Sequence, residues 1–193
     1  MRILVVHAHP VETSFNRALF HLTVERLAAQ GHDVDALDLY AEDFDPRLTA
    51  AEREAYHGLE TNRANVSTHV DRLLAAEAMV LVHPVWNFGY PAILKGWFDR
   101  VFLPGVSFGL VNGKVRPTLH NIGKLVIVTT YGGSRLRALL VGDPPRKLAK
   151  RVLRATIKPG EPVRYLAHYD MNRSTDQSRA AFMARVRAEM DIF

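Results

Sequence analysis

RILVVHAHPVETSFNRALFHLTVERLAAQG, residues 2–31, carries three signals in succession: an apolar run, a polar loop, and a segment of helical period closed by a glycine. Residues 2–7 read as a strand. Residues 14–30 read as a helix with Leu19, Leu22 and Leu27 on one face, and Gly31 suits the position just past its end. The same alternation recurs downstream, with strands expected near 33–39, 78–83, 123–130 and 162–168. Helical patterns fall near 62–76, 91–103, 135–154 and 175–190, the last capped by Ser174 or Thr175. Strands that alternate with helices predict βαβ units, and so a doubly wound α/β domain with a five-stranded parallel sheet and helices on both faces. Two longer connections remain, 40–61, with a short helix expected after Pro46, and 104–122, rich in Gly and Pro and holding Asn112-Gly113. Neither reads as a linker, so one domain over residues 1–193 is expected.

Composition narrows the function classes. The 193 residues include no cysteine, which excludes disulfides, a thiolate nucleophile and a Cys-based zinc site. Apolar runs such as ILVV, AMVLV and LVIV fall far short of the roughly 20 residues that cross a bilayer. The expectation is a soluble, cytoplasmic chain with no targeting segment. Net charge is +5, and residues 134–187 hold thirteen Lys/Arg against four Asp/Glu. A basic third fits ordinary solvated surface or a phosphate-bearing ligand; no zinc-finger spacing or RNP-like motif supports nucleic acid. No HExxH helix or compact His/Asp/Glu cluster supports a metal site, and no GxSxG elbow is present.

In open α/β sheets ligands gather outside the carboxyl ends of the strands, which selects three loops. HAHPVETSFN (7–16) offers His7, His9, Thr13, Ser14 and Asn16 ahead of a helix N-terminus that favours an anion. Thr13 or Ser14 also suits the helix cap, and His7 suits a buried core position, which leaves His9 the better ligand candidate. HPVWNFGYP (83–91) places Trp86, Phe88 and Tyr90 on a loop, as a satellite cluster, a dimer contact or a platform for a planar ligand. TTYGGSR (129–135) pairs Gly132 with Gly133, as a plain turn or as backbone that approaches a flat ligand closely.

On YPAILKGWFDRVF (90–102), HAHP followed by TSFN (13–16), DLYAEDFDP (38–46) and the TT and paired glycines of 129–133, the chain resembles the NAD(P)H:quinone oxidoreductase family, flavoproteins of flavodoxin-like fold. GDPPRK (142–147) and YLAHYDMNR (165–173) resemble a bacterial branch of NAD(P)H-dependent oxidoreductases. The resemblance implies the sheet order 2-1-3-4-5 and a homodimer. It implies that His9, Thr13, Ser14, Phe15 and Asn16 hold the flavin phosphate or pyrophosphate. Pro84, Val85, Trp86, Asn87 and Phe88 would frame the isoalloxazine, and Thr129, Thr130, Tyr131, Gly132 and Gly133 would approach its polar edge. FAD or FMN would be the cofactor, with TSFN leaning to FAD.

The implied activity is ping-pong transfer of a hydride from NAD(P)H through the flavin to a quinone or similar electrophile. Two departures bear on it. The ring loop reads Pro84-Val85-Trp86-Asn87-Phe88, with its tryptophan one place from that of the long vertebrate enzymes, and RLRALLVGD replaces the stretch that carries their Tyr/His pair. Candidates for the missing function are Tyr131, Arg135, Arg137 and the amides of Gly132 and Gly133. Two other readings share the sheet: a flavoprotein regulatory subunit of a potassium-efflux system, and a flavodoxin-like electron carrier, a class that is usually acidic.

Overall fold

The structure, a computed structural model, describes residues 1–160 and 163–193. β1 (Arg2–His7) runs into α1 (Phe15–Ala29) and β2 (Asp33–Asp38); α2 (Ala50–Glu54) and α3 (Ser67–Ala75) precede β3 (Ala78–Val85). α4 (Ala92–Val101) is followed by β4 (Phe108–Val111), β5 (Lys114–Pro117) and β6 (Lys124–Tyr131). Then come α5 (Arg135–Leu140), α6 (Pro144–Lys147), α7 (Arg154–Thr156), β7 (Arg164–His168) and α8 (Asp176–Asp191). The five long strands pair in parallel in the order β2-β1-β3-β6-β7, the expected 2-1-3-4-5 arrangement.

Alternation along the strands builds two cores. Leu4, Val6, Met79, Leu81, Leu125 and Ile127 face a layer that includes Val70, Leu73, Leu94 and Trp97, while Ile3, Val5, Val80, Val82, Val126 and Val128 face Leu19, Leu27, Phe182 and Val186. β3 lies at the centre and is buried at all eight positions, as expected of a parallel strand covered on both faces. Ser14 caps α1 through its side chain, and at the other end Gly31 (φ 80°) and His32 donate to Ala28 and Leu27, a left-handed helix stop that glycine tolerates. Thr175, not Ser174, caps α8, and the helix expected after Pro46 is α2, with a Thr49/Glu52 capping box.

The helix expected at 135–154 is broken. Gly142 (φ 84°) and Asp143 (φ 46°) turn the chain in the left-handed region, Pro144 opens α6, and a π-helical stretch, Leu148–Leu153, precedes α7. Proline cannot continue a helix but suits the first turn of a new one. The 62–76 helix shortens to a 3₁₀ turn, Ala64–Val66, and α3, and the 91–103 helix is α4 alone. β4 and β5 form a hairpin on Asn112-Gly113 that was not expected, although Asn-Gly flanked by apolar residues is a strong hairpin signal. β6 reaches Tyr131, one residue beyond the expected strand; Pro162, at the start of the expected 162–168 strand, lies outside the described residues.

The segment PAILKGWFDRVF has a packing role. A Cβ on Gly96 would lie 2.3 Å from the Pro46 carbonyl oxygen, so α4 packs backbone to backbone against the 40–61 connection. One turn on, the buried Arg100 donates to Glu52 (Nε to Oε1, 3.1 Å) and to the Asp45 carbonyl, and lies over the Phe44 ring.

Candidate functional site

The winding of the sheet opens a crevice at its carboxyl edge. β1 pairs with β3 as far as His7 opposite Val82, and Ala8 donates the last bond to the Val82 carbonyl at 3.1 Å. β3 continues to Val85 against β6 alone, where Val85 faces Tyr131. Above this point a cavity of about 350 Å³ is lined by Val85, Trp86, Asn87 and Phe88 from the loop after β3, and by Tyr131, Gly132, Gly133, Ser134 and Arg137 from the end of β6 and the start of α5. The segment after β7 adds Asp170, Asn172 and Arg173.

The aromatic loop is a tight turn. Trp86 and Gly89 exchange backbone bonds of 3.2 and 2.8 Å around Asn87 (φ 48°) and Phe88 (φ 56°), a two-residue hairpin with both central residues left-handed. Asn tolerates this region; Phe is strained there, and such strain concentrates where a loop serves a ligand. The result holds the Trp86 and Phe88 rings 41% exposed at the cavity wall. Tyr90 folds inward instead, edge-on to His83 at 4.7 Å, and Pro84 lies in the strand opposite Thr130.

Tyr131 is buried, and its hydroxyl is engaged away from solvent, 2.7 Å from Asp143 Oδ1 and 2.6 Å from the Tyr165 hydroxyl. Burial and the neighbouring Tyr165 raise its pKa far above the ordinary tyrosine range. The amide side chain of Asn172 stands over Gly132, where a Cβ would meet Oδ1 at 3.5 Å. Ser134 caps α5, and Arg137 reaches along Gly133 into the cavity lining, whereas Arg135 is exposed on the first turn of α5 and does not line the cavity.

The first loop lies outside that lining, with the His9 ring 5.6 Å from that of Trp86. His9 Nδ1 accepts from the Val11 amide at 3.1 Å, which leaves Nε2 as the donor, and burial lowers its pKa. Phe15 and Asn16 are the first two residues of α1, whose amides have no carbonyl a turn earlier to bond. Asn16 is buried with both amide atoms unpartnered, and the buried Thr129 hydroxyl is likewise unpartnered. Thr13 is exposed, Thr130 is buried, and the Phe15 ring packs against His168 and Phe182. His7 is a core histidine, stacked on Phe20 at 4.6 Å with Nδ1 3.1 Å from Asp38.

This edge suits an anionic, planar ligand. Helix-start amides and unpartnered polar side chains offer donors at one end, and two exposed rings, a glycine pair and Arg137 surround a flat opening at the other. The flavin implied by the resemblance fits these donors. The wall supplied by Asp170, Asn172 and Arg173 was missed from sequence. Its signal was the YDMNR run directly after the fifth strand, which the strand-end rule selects as readily as the other three loops.

A family model described as flavodoxin-like fold matches residues 1–188. Ribosyldihydronicotinamide dehydrogenase (quinone) of Pongo abelii is 32% identical over 159 residues, 70% of this chain and 65% of that protein. NAD(P)H dehydrogenase (quinone) 1 of Rattus norvegicus is 30% identical over 154 residues, 72% of this chain and 56% of that protein. The chain thus spans less than two thirds of the length of these curated relatives. The crystal structure of Smu.1420 from Streptococcus mutans UA159 superposes with a TM-score of 0.85 at 28% identity, with both chains covered in full.

Proposed function

The chain belongs to the flavodoxin-like fold family, and on that premise we propose that it is a flavin-dependent NAD(P)H oxidoreductase that reduces a quinone or a similar small electrophile. The observation that carries the reading is the convergence of the Trp86-Asn87-Phe88 turn, the Gly132-Gly133 pair and Arg137 on one cavity at the carboxyl edge of the sheet. The sequence relatives, named as nicotinamide dehydrogenases with quinone in brackets, support the acceptor class.

Bound there, a flavin, FMN or FAD, supplies two-electron exchange between NAD(P)H and the acceptor in alternating half-reactions. His9, through Nε2, Thr13 and the Ser14–Asn16 helix start would hold its phosphate. Pro84, Val85, Trp86, Asn87 and Phe88 would bear on its ring, and Thr129 to Gly133 would offer backbone to its polar edge. Tyr131 shapes the cavity with its ring, since its hydroxyl is already committed to Asp143 and Tyr165. Arg137, with Arg173 the other cation in the cavity lining, would stabilise negative charge that develops there, and Arg135 would act only at longer range. Among the described residues no helix is long and apolar enough to cross a membrane; the proposal places the enzyme in the cytoplasm as a homodimer.

Purified protein is expected to be yellow, or to take up FMN or FAD when either is added, and then to oxidise NAD(P)H in a quinone-dependent manner. Protein that stays colourless and binds neither flavin overturns the proposal. A flavin-bound protein that does not turn over NAD(P)H with any quinone would leave it a carrier or a regulatory subunit instead.

A further inference from the structure

GDPPRK forms a corner that ties together the three strand-end loops around the cavity. Gly142 and Asp143 are both left-handed, Asp143 donates its amide to the Ala138 carbonyl at 2.7 Å, and the corner aims the Asp143 carboxylate back at the sheet. There Oδ1 accepts from the Tyr131 hydroxyl (2.7 Å) and Oδ2 from Arg146 Nε (3.0 Å). Tyr131 also bonds Tyr165 of β7 at 2.6 Å, and Arg146 lies 4.4 Å over the Tyr165 ring and donates to the Tyr169 hydroxyl at 2.9 Å. From the loop after β3, Tyr90 donates to the Pro145 carbonyl at 3.3 Å. One corner therefore contacts the ends of β3, β6 and β7, and none of Asp143, Arg146 and Tyr165 lines the cavity.

The consequence for the site follows from connectivity. Tyr131 is the last residue of β6, immediately before Gly132-Gly133, and α5, which carries Arg137, runs from its Ser134 cap to the Asp143 corner. From its Ser134 cap at one end, a six-residue helix has little intrinsic stability, and its last backbone bonds, Val141 to Arg137, Gly142 to Leu139 and Asp143 to Ala138, gather at the Asp143 corner. The Asp143 bond to Tyr131 fixes its other end to the strand, and a residue strained at φ 46° persists only where the surroundings over-determine it. We propose that Asp143 is a positioning residue for the cofactor site: through Tyr131 it sets the spacing between the Gly132-Gly133 backbone and Arg137 on which ring binding depends. This rests on the flavin reading given above.

The test is a double-mutant cycle read as flavin affinity, by titrating FMN and FAD into flavin-free protein and following flavin fluorescence. Both variants keep the side-chain shapes; Asp143→Asn takes the charge out of the bond and Tyr131→Phe removes the hydroxyl that makes it, along with its bond to Tyr165, so each is expected to weaken binding about tenfold, the scale of one charge-assisted bond. Because both remove the same link, the double variant should also lose about tenfold. Single variants within twofold of the parent, or a double variant about a hundredfold weaker by simple additivity, overturn the proposal. Asp143→Glu is expected to recover part of the affinity, which a loss of general stability would not. If Asp143→Asn fails to fold by far-UV circular dichroism, Asp143→Gly, which tolerates the left-handed backbone at this position, takes its place in the same cycle with Tyr131→Phe. Parent protein that binds no flavin defeats the flavin reading itself, a separate outcome from an unperturbed cycle.

Discussion

Gly96→Ala tests the packing of α4 by the sign of its effect. In an exposed helix interior the exchange stabilises by about 1 kcal/mol, because alanine restricts the unfolded chain. At position 96 the added Cβ would lie 2.3, 2.4 and 2.5 Å from the carbonyl oxygen, Cβ and Cα of Pro46. These are largely backbone atoms that no rotamer change moves, so α4 and the 40–61 connection must separate. Overpacking of this kind costs ~1–3 kcal/mol. Separation also stretches the bonds from Arg100, one turn along the same face, to Glu52 and the Asp45 carbonyl, and hydrogen bonds to charged groups are worth ~1.5–3 kcal/mol each. With the propensity gain deducted, a net loss of ~2 kcal/mol lowers the melting temperature by ~4–8 °C for a chain of this size. The measurement is thermal unfolding of flavin-free parent and variant at one protein concentration. A melting temperature equal to or above that of the parent refutes the claim that backbone contact at Pro46 is why a glycine stands in this helix.

Phe88→Gly should separate stability from binding. Relief of a left-handed side chain returns ~1–2 kcal/mol and the extra freedom of unfolded glycine removes ~0.5–1 kcal/mol, so the melting temperature holds or rises slightly while flavin binding weakens several-fold; an unchanged flavin affinity would exclude the ring from the site. Arg137→Ala should slow flavin reduction by NAD(P)H roughly tenfold in stopped-flow absorbance, the small end of such effects because the side chain is exposed; an unchanged rate removes it from the chemistry. His83 has no solvent exposure, bonds the Pro84 carbonyl through Nδ1 at 2.9 Å, and is held by burial to a pKa of about 4 against 6.5. The folded state resists the proton that the unfolded state takes up, so the stabilisation is full above pH 6.5 and is lost as pH falls toward 4, by ~3 kcal/mol at most. His83→Leu should flatten that acid limb in urea unfolding between pH 7 and 4.5, and an identical slope would contradict the assignment.

The sheet was legible because burial on both faces leaves an apolar run in each strand, as in ILVV and AMVLV, and the intervening helices carry their own period and caps. What was not legible came from contacts beyond the reach of local pattern. The apolar period of LRALL and LAKRVL reads straight through Gly142-Asp143-Pro144-Pro145, although that run holds both stop and start signals. The Asn112-Gly113 hairpin hid inside a stretch that looked like loop because its strands are only four residues each. In the site, the aromatic turn, the glycine pair and Arg137 were placed at one sheet edge from sequence, and they do meet there. Arg135 was not separable from Arg137 by composition, since only the helix phase of α5 decides which of them faces the cavity. The commitment of the Tyr131 hydroxyl to Asp143 and Tyr165 joins residues 12 and 34 positions away, a pairing that no spacing rule detects.

Pro84 gives the crevice a second property. Beyond Val82, β3 has no backbone pairing with β1, although its residues stay buried. A free flank of this kind is a template on which a stray extended segment can add as a further strand, most readily when no ligand fills the opening. Proline contributes no backbone donor, and within sheets it is found where a ladder must stop. Placed two residues past the last β1 pairing, it removes a backbone donor from the unpaired side of β3, and its carbonyl is taken by His83 Nδ1 at 2.9 Å, so neither of its backbone groups is left for a further strand.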